Sequence, residues 1–255
     1  MQLQCQELYS MKHFVITPYY KESRELLERC IDSVSQQNGD VSHILVADGF
    51  PQKWLENITS IRHITLDKPT ANWGNTPRLI GCNLAMAEDA FSISILDADN
   101  WYEPFHIETC ENCLTKSEQS DHIDFIVSKR IFRRMDLTSM AIPEEPNHID
   151  SNCYMYLRGA FDIIPYWGLV PKPYAHITDR FIYNILKNRK RQGLLTNTES
   201  VNYLAMYKVF YELLGEKVPE DAKDGFDSTQ SNSWYSELSQ REKQIVDRLC
   251  GNAIF

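Results

Sequence analysis

Along the first half of the chain the apolar positions switch repeatedly between a short continuous run and a helical period. His13 to Thr17 is a run of β-forming residues that ends at Pro18. Leu26, Leu27, Cys30, Ile31 and Val34 then recur at helical spacing, which predicts an amphipathic helix from about Glu22 to Gln37, stopped by Asn38-Gly39-Asp40. Ser42 to Ala47 reads as a second strand ending at Asp48-Gly49, and Ile61 to Leu66 as a third. Thr76-Pro77 makes an N-cap and first-turn pair for a helix that carries Leu79, Ile80, Leu84 and Ala87. Phe91 to Leu96 is a fourth strand running straight into Asp97-Ala98-Asp99-Asn100. Glu103-Pro104 opens another helix, and Ile123 to Val127 is a fifth strand. This alternation predicts an α/β fold with a mostly parallel sheet flanked by helices.

Beyond Arg134 the pattern loosens. Pro143, Pro146, Pro165, Pro171 and Pro173 break the region into loops and short elements around a strand at Cys153 to Leu157. Helices are predicted from about Ile177 to Asn188 and from Glu199 to Leu214. Gly215 to Ser233 reads as a polar surface linker, and Trp234 to Leu249 as a terminal amphipathic helix. No repeat or low-complexity tract interrupts the 255 residues, so a single domain is expected. It comprises an α/β half over about 12–134, an irregular half over about 135–214, and a linker with C-terminal helix over 215–255.

Composition narrows the classes of function. With 43% hydrophobic and 24% charged residues the chain is of ordinary globular type. A formal charge of −9 argues against broad nucleic-acid or anionic-membrane binding. The local runs Lys129-Arg130 with Arg133-Arg134, and Lys187 to Arg191, can still hold one anionic ligand, although the second reads first as a solvated helix face. No stretch approaches the ~20 apolar residues of a transmembrane helix. Met1 to Lys12 lacks the apolar core of a signal peptide. A cytoplasmic protein is expected, or one peripheral to the inner membrane. The 7 cysteines are scattered and odd in number, which fits a reducing compartment. Cys110-Glu111-Asn112-Cys113 has no second pair at zinc spacing, and Ile107, Cys110 and Leu114 share a helical spacing, so these thiols read as packing.

The chemistry gathers at strand ends. Three strands of the first half finish in Thr17-Pro18-Tyr19-Tyr20, Asp48-Gly49 and Asp97-Ala98-Asp99. In an open α/β sheet ligands bind beyond the carboxyl ends of the strands, and right-handed crossovers put these ends on one edge. Two carboxylates there suit Mg²⁺ or Mn²⁺ shared with substrate phosphates. An isolated Asp-Ala-Asp-Asn is equally the composition of a solvated turn. The co-location of the three ends is what favours a site.

The stretch Phe14 to Tyr102 resembles a family 2 glycosyltransferase of the GT-A fold, from a soluble bacterial subgroup. The resemblance rests on the Thr17-Pro18 turn, Asn72-Trp73-Gly74, Arg78-Leu79-Ile80-Gly81, and Asp97-Ala98-Asp99 followed by Trp101-Tyr102. The family's Asp-Asp-Gly-Ser turn is here Ala47-Asp48-Gly49-Phe50, so only its second acid remains. The resemblance implies a GT-A-like, Rossmann-related fold, with about 12–134 binding a nucleoside-diphosphate sugar, a UDP-sugar first of all. It implies that Thr17, Pro18, Tyr19 and Asp48 line the nucleoside pocket and that Arg78 approaches the base or diphosphate. Asp97 would lie near the ribose and metal, and Asp99 would be the main protein ligand of a divalent Mn²⁺ or Mg²⁺. Tyr19 and Tyr20 read equally as packing aromatics, and Trp73 and Trp101 read as packing rather than as sugar platforms.

In the second half, Thr178-Asp179-Arg180 opens a helix at the place where this family carries its catalytic acid. The resemblance therefore makes Asp179 the base that takes the acceptor proton during inverting transfer. His176 is a further candidate metal or diphosphate contact, while Asp150 and Asn152 are candidates to meet a sugar. The acceptor would be a glycan, a lipid-linked molecule or a small molecule. Two other readings stay open. One is a catalytically degenerate GT-A module that binds nucleotide-sugars, which Ala47 favours. The other is a sugar nucleotidyltransferase, which the absence of glycine in Thr17-Pro18-Tyr19-Tyr20-Lys21 disfavours. Processive synthases need membrane helices and a Gln-x-x-Arg-Trp motif, neither of which is present.

Overall fold

The computed structural model describes residues 11–143, 148–225 and 229–251. Pro146 and the segment before Met11, both weighed above, lie outside the described residues. Four strands form the parallel part of the sheet: β1 (His13–Tyr19), β2 (Val41–Ala47), β3 (Ile61–Thr65) and β4 (Ser92–Ile95). The crossovers carry α1 (Arg24–Ser35) and α2 (Asn75–Ala87). Next come β5 (Trp101–Tyr102), α3 (His106–Thr115), β6 (Phe125–Arg133) and β7 (Ser139–Met140). The second half contributes β8 (Tyr154–Leu157), α4 (Tyr166–Leu169), α5 (Thr178–Asn188) and β9 (Gly193–Leu204). After these follow α6 (Lys208–Leu213), α7 (Thr229–Glu237) and α8 (Gln240–Leu249).

The strands lie in the order β3-β2-β1-β4-β8-β6-β9-β5, with β7 on β6. β8 is antiparallel to both of its neighbours, so β6 points the same way as β1 to β4. β9 runs parallel to β6, and β5 closes the edge antiparallel to β9. The expected mostly parallel α/β sheet is therefore present.

Apolar runs at β1 and β4 are buried throughout, as central strands with both faces covered require. α1 turns Leu27, Cys30, Ile31 and Val34 inward, and Ser23 caps it by accepting the Leu26 N–H. Gly81 lets α2 lie directly on the sheet, since a Cβ there would sit 2.4 Å from Ile16 Cγ2. Cys110 packs with Ile107 and Leu114 as the helical spacing predicts.

The structure corrects several sequence expectations. β1 continues through Pro18 to Tyr19, tolerated because β4 pairs with β1 only as far as Ile16. α2 is capped by Gly74 at φ 77° rather than by Thr76, whose own N–H goes to Asn72 Oδ1. The largest difference concerns the predicted helix from Glu199 to Leu214. Residues up to Leu204 are instead β9, and only Lys208–Leu213 is helical. A long ladder with β6 outweighs the local helical pattern there. The terminal helix is split at Ser239, whose hydroxyl and Glu242 form a capping box, and α7 begins inside the expected linker. Among the described residues, no helix is long and apolar enough to cross a membrane.

Candidate active site

The ends of β1 and β2 are built as a closed turn. Asp48 accepts the Thr70 N–H at 2.7 Å and the Thr70 hydroxyl at 3.0 Å, which pins the following loop. Gly49 is obligatory beside it, because φ is +82° and a Cβ would lie 2.3 Å from Pro69 N. Ala47, where the resembled family has its first acid, is buried against Leu45 and Tyr19, a setting that would desolvate a carboxylate. The Thr17 and Tyr19 side chains also point into the core. The Thr17 hydroxyl lies 2.8 Å from His43 Nε2, and the Tyr19 hydroxyl lies 2.7 Å from His63 Nε2 while accepting the Gln52 N–H. Only the backbone of these two residues is left to meet a ligand. Tyr20 and Phe50, in contrast, form an exposed edge-to-face pair with the Lys21 ammonium over both rings.

The end of β4 anchors a charged network. Arg78 donates to Asp97 Oδ1 at 2.5 Å, to the Trp73 carbonyl at 2.7 Å and to Asn75 Oδ1 at 3.2 Å. Asn152 accepts the Asp97 N–H at 2.6 Å and donates its amide to Asp97 Oδ2 and to Asp150 Oδ1. Asp150 in turn pairs with Arg130 at 2.9 Å. An alternating chain Arg78–Asp97–Asn152–Asp150–Arg130 thus runs under the strand ends. Trp73, whose carbonyl accepts from Arg78, stands at φ 58° and is 55% exposed rather than packed as its sequence context implied.

Asp99 has a different environment. Burial and the charges of Asp97 and Glu22 push its carboxyl up to about 7, with Lys223 opposing. Lys223 is brought there by a bridge to Tyr207 and by backbone bonds to Met206 and Lys208. Burial and the same two aspartates push the Tyr207 phenol up to about 12. A carboxylate crowded by like charge fits a divalent cation, which would offset the repulsion while substrate phosphates completed its shell. Among the described residues no three His, Cys, Asp or Glu side chains gather to hold a metal, and the His176 ring lies against Trp73.

Asp179 stands at the start of α5, where its Oδ1 accepts the Arg180 N–H at 2.8 Å and its Oδ2 lies 2.6 Å from His148 Nε2. Asn75 at the start of α2 donates to Thr178 Oγ1 at 2.7 Å and to the Ala175 carbonyl, tying the amino ends of the two helices together. A cleft of about 750 Å³ opens between them. It is lined by Arg78, Asp97, Asp150, His176 and Asp179 of the sequence candidates, whereas Thr17, Pro18, Tyr19, Asp48, Asp99 and Asn152 do not line it.

Arg130, named above only within a basic run able to hold an anion, faces the cleft with its guanidinium 4.4 Å from the centre of the Phe132 ring. The period of two in β6 carries the signal, since Ser128, Arg130 and Phe132 share a face. The two arginines that follow in that run are occupied elsewhere, Arg133 with Asn202 and Arg134 with Glu216. His148 stands in the same short block as the candidates Asp150 and Asn152, but the sequence offered no role for it.

Comparison with known proteins bears on the fold that carries these residues. Among solved structures, S. aureus TarS 1-349 in complex with UDP-GlcNAc superposes with a TM-score of 0.60 at 14% identity, over 94% of this chain and 71% of that one. The UDP complex of the same fragment gives 0.58 at 13%, over 91% and 77%. The TarS structure not limited to residues 1-349 gives 0.57 at 13%, with 94% of this chain covering 43% of that one. At such identities the likeness is one of fold, and the fold is GT-A-like. No curated protein matches the chain by sequence. The model of the family described as Glycosyl transferase family 2 matches residues 14–133, the segment that holds β1 to β6 and the acids Asp48, Asp97 and Asp99. Over that segment the chain is similar to a family 2 glycosyltransferase domain.

Proposed function

We propose that the protein transfers a sugar from a UDP-sugar to an acceptor hydroxyl, with inversion at the anomeric carbon and with Mn²⁺ or Mg²⁺ bound. One observation carries this reading: a single cleft joins the Arg78–Asp97 pair at a strand end to Asp179 at a helix start. The nucleotide half is about 12–134 and the acceptor half about 135–214. UDP and UDP-GlcNAc in the TarS structures support the choice of nucleotide.

In this reading the uridine meets the backbone of Thr17-Pro18-Tyr19 and the turn held by Asp48, with Tyr20 and Phe50 as exposed rings at its rim. Asp97, fixed by Arg78 and Asn152, accepts from a donor hydroxyl. Arg78 is neutralised by Asp97, so it orients that acid rather than serving as a free cation for the diphosphate. Asp99 would hold the metal, which when bound supplies Lewis-acid stabilisation of the departing diphosphate. Lys223 adds positive charge on the same side. Asp179 takes the proton of the attacking hydroxyl. Positioned base catalysis of this kind is worth ~10²–10⁴ in rate. The acceptor class is open among glycan, lipid-linked and small-molecule hydroxyls.

Calorimetry with UDP, with and without Mn²⁺, tests the donor half of this reading. Metal-dependent binding that survives Asp99→Asn unchanged would remove Asp99 as the ligand. A protein that binds no UDP under either condition would remove the UDP-sugar assignment.

A further inference from the structure

The carboxylate at the mouth of α5 does not stand alone. His148, 31 residues earlier, presents Nε2 to Asp179 Oδ2 at 2.6 Å, and both side chains line the cleft, 10% and 23% exposed. The opposite oxygen of Asp179 is fixed by the backbone N–H of Arg180. A carboxylate on an exposed first turn ordinarily rotates freely. Here one bond on each oxygen sets its plane, and the side chain lines the cleft.

We propose that His148 is the positioning residue of Asp179, forming a His–Asp dyad that fixes the base against the acceptor hydroxyl. The inference rests on reading Asp179 as the base. The acceptor oxygen forms its bond to the anomeric carbon as the bond from that carbon to the diphosphate oxygen breaks. The electron pair leaves with the diphosphate, and the hydroxyl proton passes to Asp179. The dyad performs this step with His148 neutral, when it carries one net negative charge. Once His148 is protonated, Asp179 is held as an ion pair and is a poorer base.

Among the described residues, the charged groups facing His148 are Asp179 from α5, Asp150 from the turn before β8, and Arg130 from β6. Burial disfavours the imidazolium, and the hydrogen bond and charge of Asp179, helped by Asp150, overcome it and raise the pKa. The acid limb of the rate profile then lies above the ordinary histidine value of ~6.5.

The experiment measures UDP release from UDP-N-acetylglucosamine with Mn²⁺ as a function of pH, for wild type, His148→Ala, His148→Gln and Asp179→Asn. His148→Ala is expected to lower kcat about 10–100-fold, the usual cost of removing a partner that orients a functional group, with KM for the donor unchanged. His148→Gln keeps an N–H donor but cannot titrate. It should restore most of kcat at pH 8 and shift the acid limb downward. Should the Ala variant fail to fold, the Gln variant and its pH profile carry the test. A His148 imidazole signal in NMR that titrates above ~6.5 and falls in Asp179→Asn is a readout independent of the donor sugar. Wild-type kcat and an unmoved acid limb in both His148 variants would overturn the dyad. Wild-type turnover by Asp179→Asn would overturn the base assignment instead, so the two failures are distinct.

Discussion

Two histidine–carboxylate pairs sit at opposite ends of the sheet, and only one of them opens on a cleft. At the amino ends of the strands, His13 places Nδ1 2.6 Å from Ser92 Oγ and Nε2 2.8 Å from Glu111 Oε1. That is the order of a Ser–His–acid triad, yet His13 and Ser92 are sealed at 1% and 0% exposure. At the carboxyl ends, His148 and Asp179 make a bond of similar length on the wall of a cleft of about 750 Å³. Distances alone do not separate the pairs. Position does, because parallel strands leave their ligand crevice beyond the carboxyl ends. The first pair, sealed at His13 and Ser92 while Glu111 reaches the surface, fastens β1, β4 and α3 together, and the open pair has room for a reacting group.

The sharpest way to break this contrast is at the open end. Asp179→Asn should lower sugar transfer by ~10²–10⁴ while leaving UDP affinity intact, as read by turnover and calorimetry. Arg130→Met, which strands Asp150 in the buried chain beneath the cleft, should cost roughly 3–5 kcal/mol in chemical denaturation. Asp99→Asn should abolish the metal-dependent part of UDP binding; an equal Mn²⁺ effect in both proteins would place the cation elsewhere. At the sealed end His13→Gln should lose about 1–3 kcal/mol of stability with kcat unchanged at a permissive temperature. A loss of turnover without a loss of stability would mean that the sealed pair takes part in chemistry after all.

The smallest effect is the pH dependence of the open pair. The folded-state pKa of His148 is raised, so its bond to Asp179 stabilises the fold fully below the unfolded value of ~6.5. That stabilisation is lost as pH rises through the folded value. The melting-temperature gap between wild type and His148→Gln should therefore be widest in mild acid and shrink above neutrality. A gap that widens with pH would reverse the assignment of the charged form.

Legibility in the sequence tracked how local the determining interactions are. β1 to β4 and their crossover helices were readable because each announces itself within a dozen residues, as an apolar run or a helical period. α5 was readable for the same reason, and with it the placement of Asp179 at a helix start. β9 was not, because its partners in β6 lie some 70 residues away and the local pattern from Glu199 onward imitates a helix. The thiols of α3 were legible as packing. Thr17 and Tyr19 stand at the predicted strand tip, but which face of the strand they take follows from the register with β2, and that register turns their side chains inward.

By itself, then, the sequence determined the α/β alternation, the strand that ends in Asp97-Ala98-Asp99, and the family 2 signature spanning the first half. Tertiary structure alone decided that Arg78 is committed to Asp97, that Trp73 is exposed, and that His148 meets Asp179 from 31 residues away. The physical reason is range. Periodicity and capping act over a few residues and leave their mark in composition. A hydrogen bond between side chains brought together by separate loops leaves none, because any donor at the right point in space satisfies it.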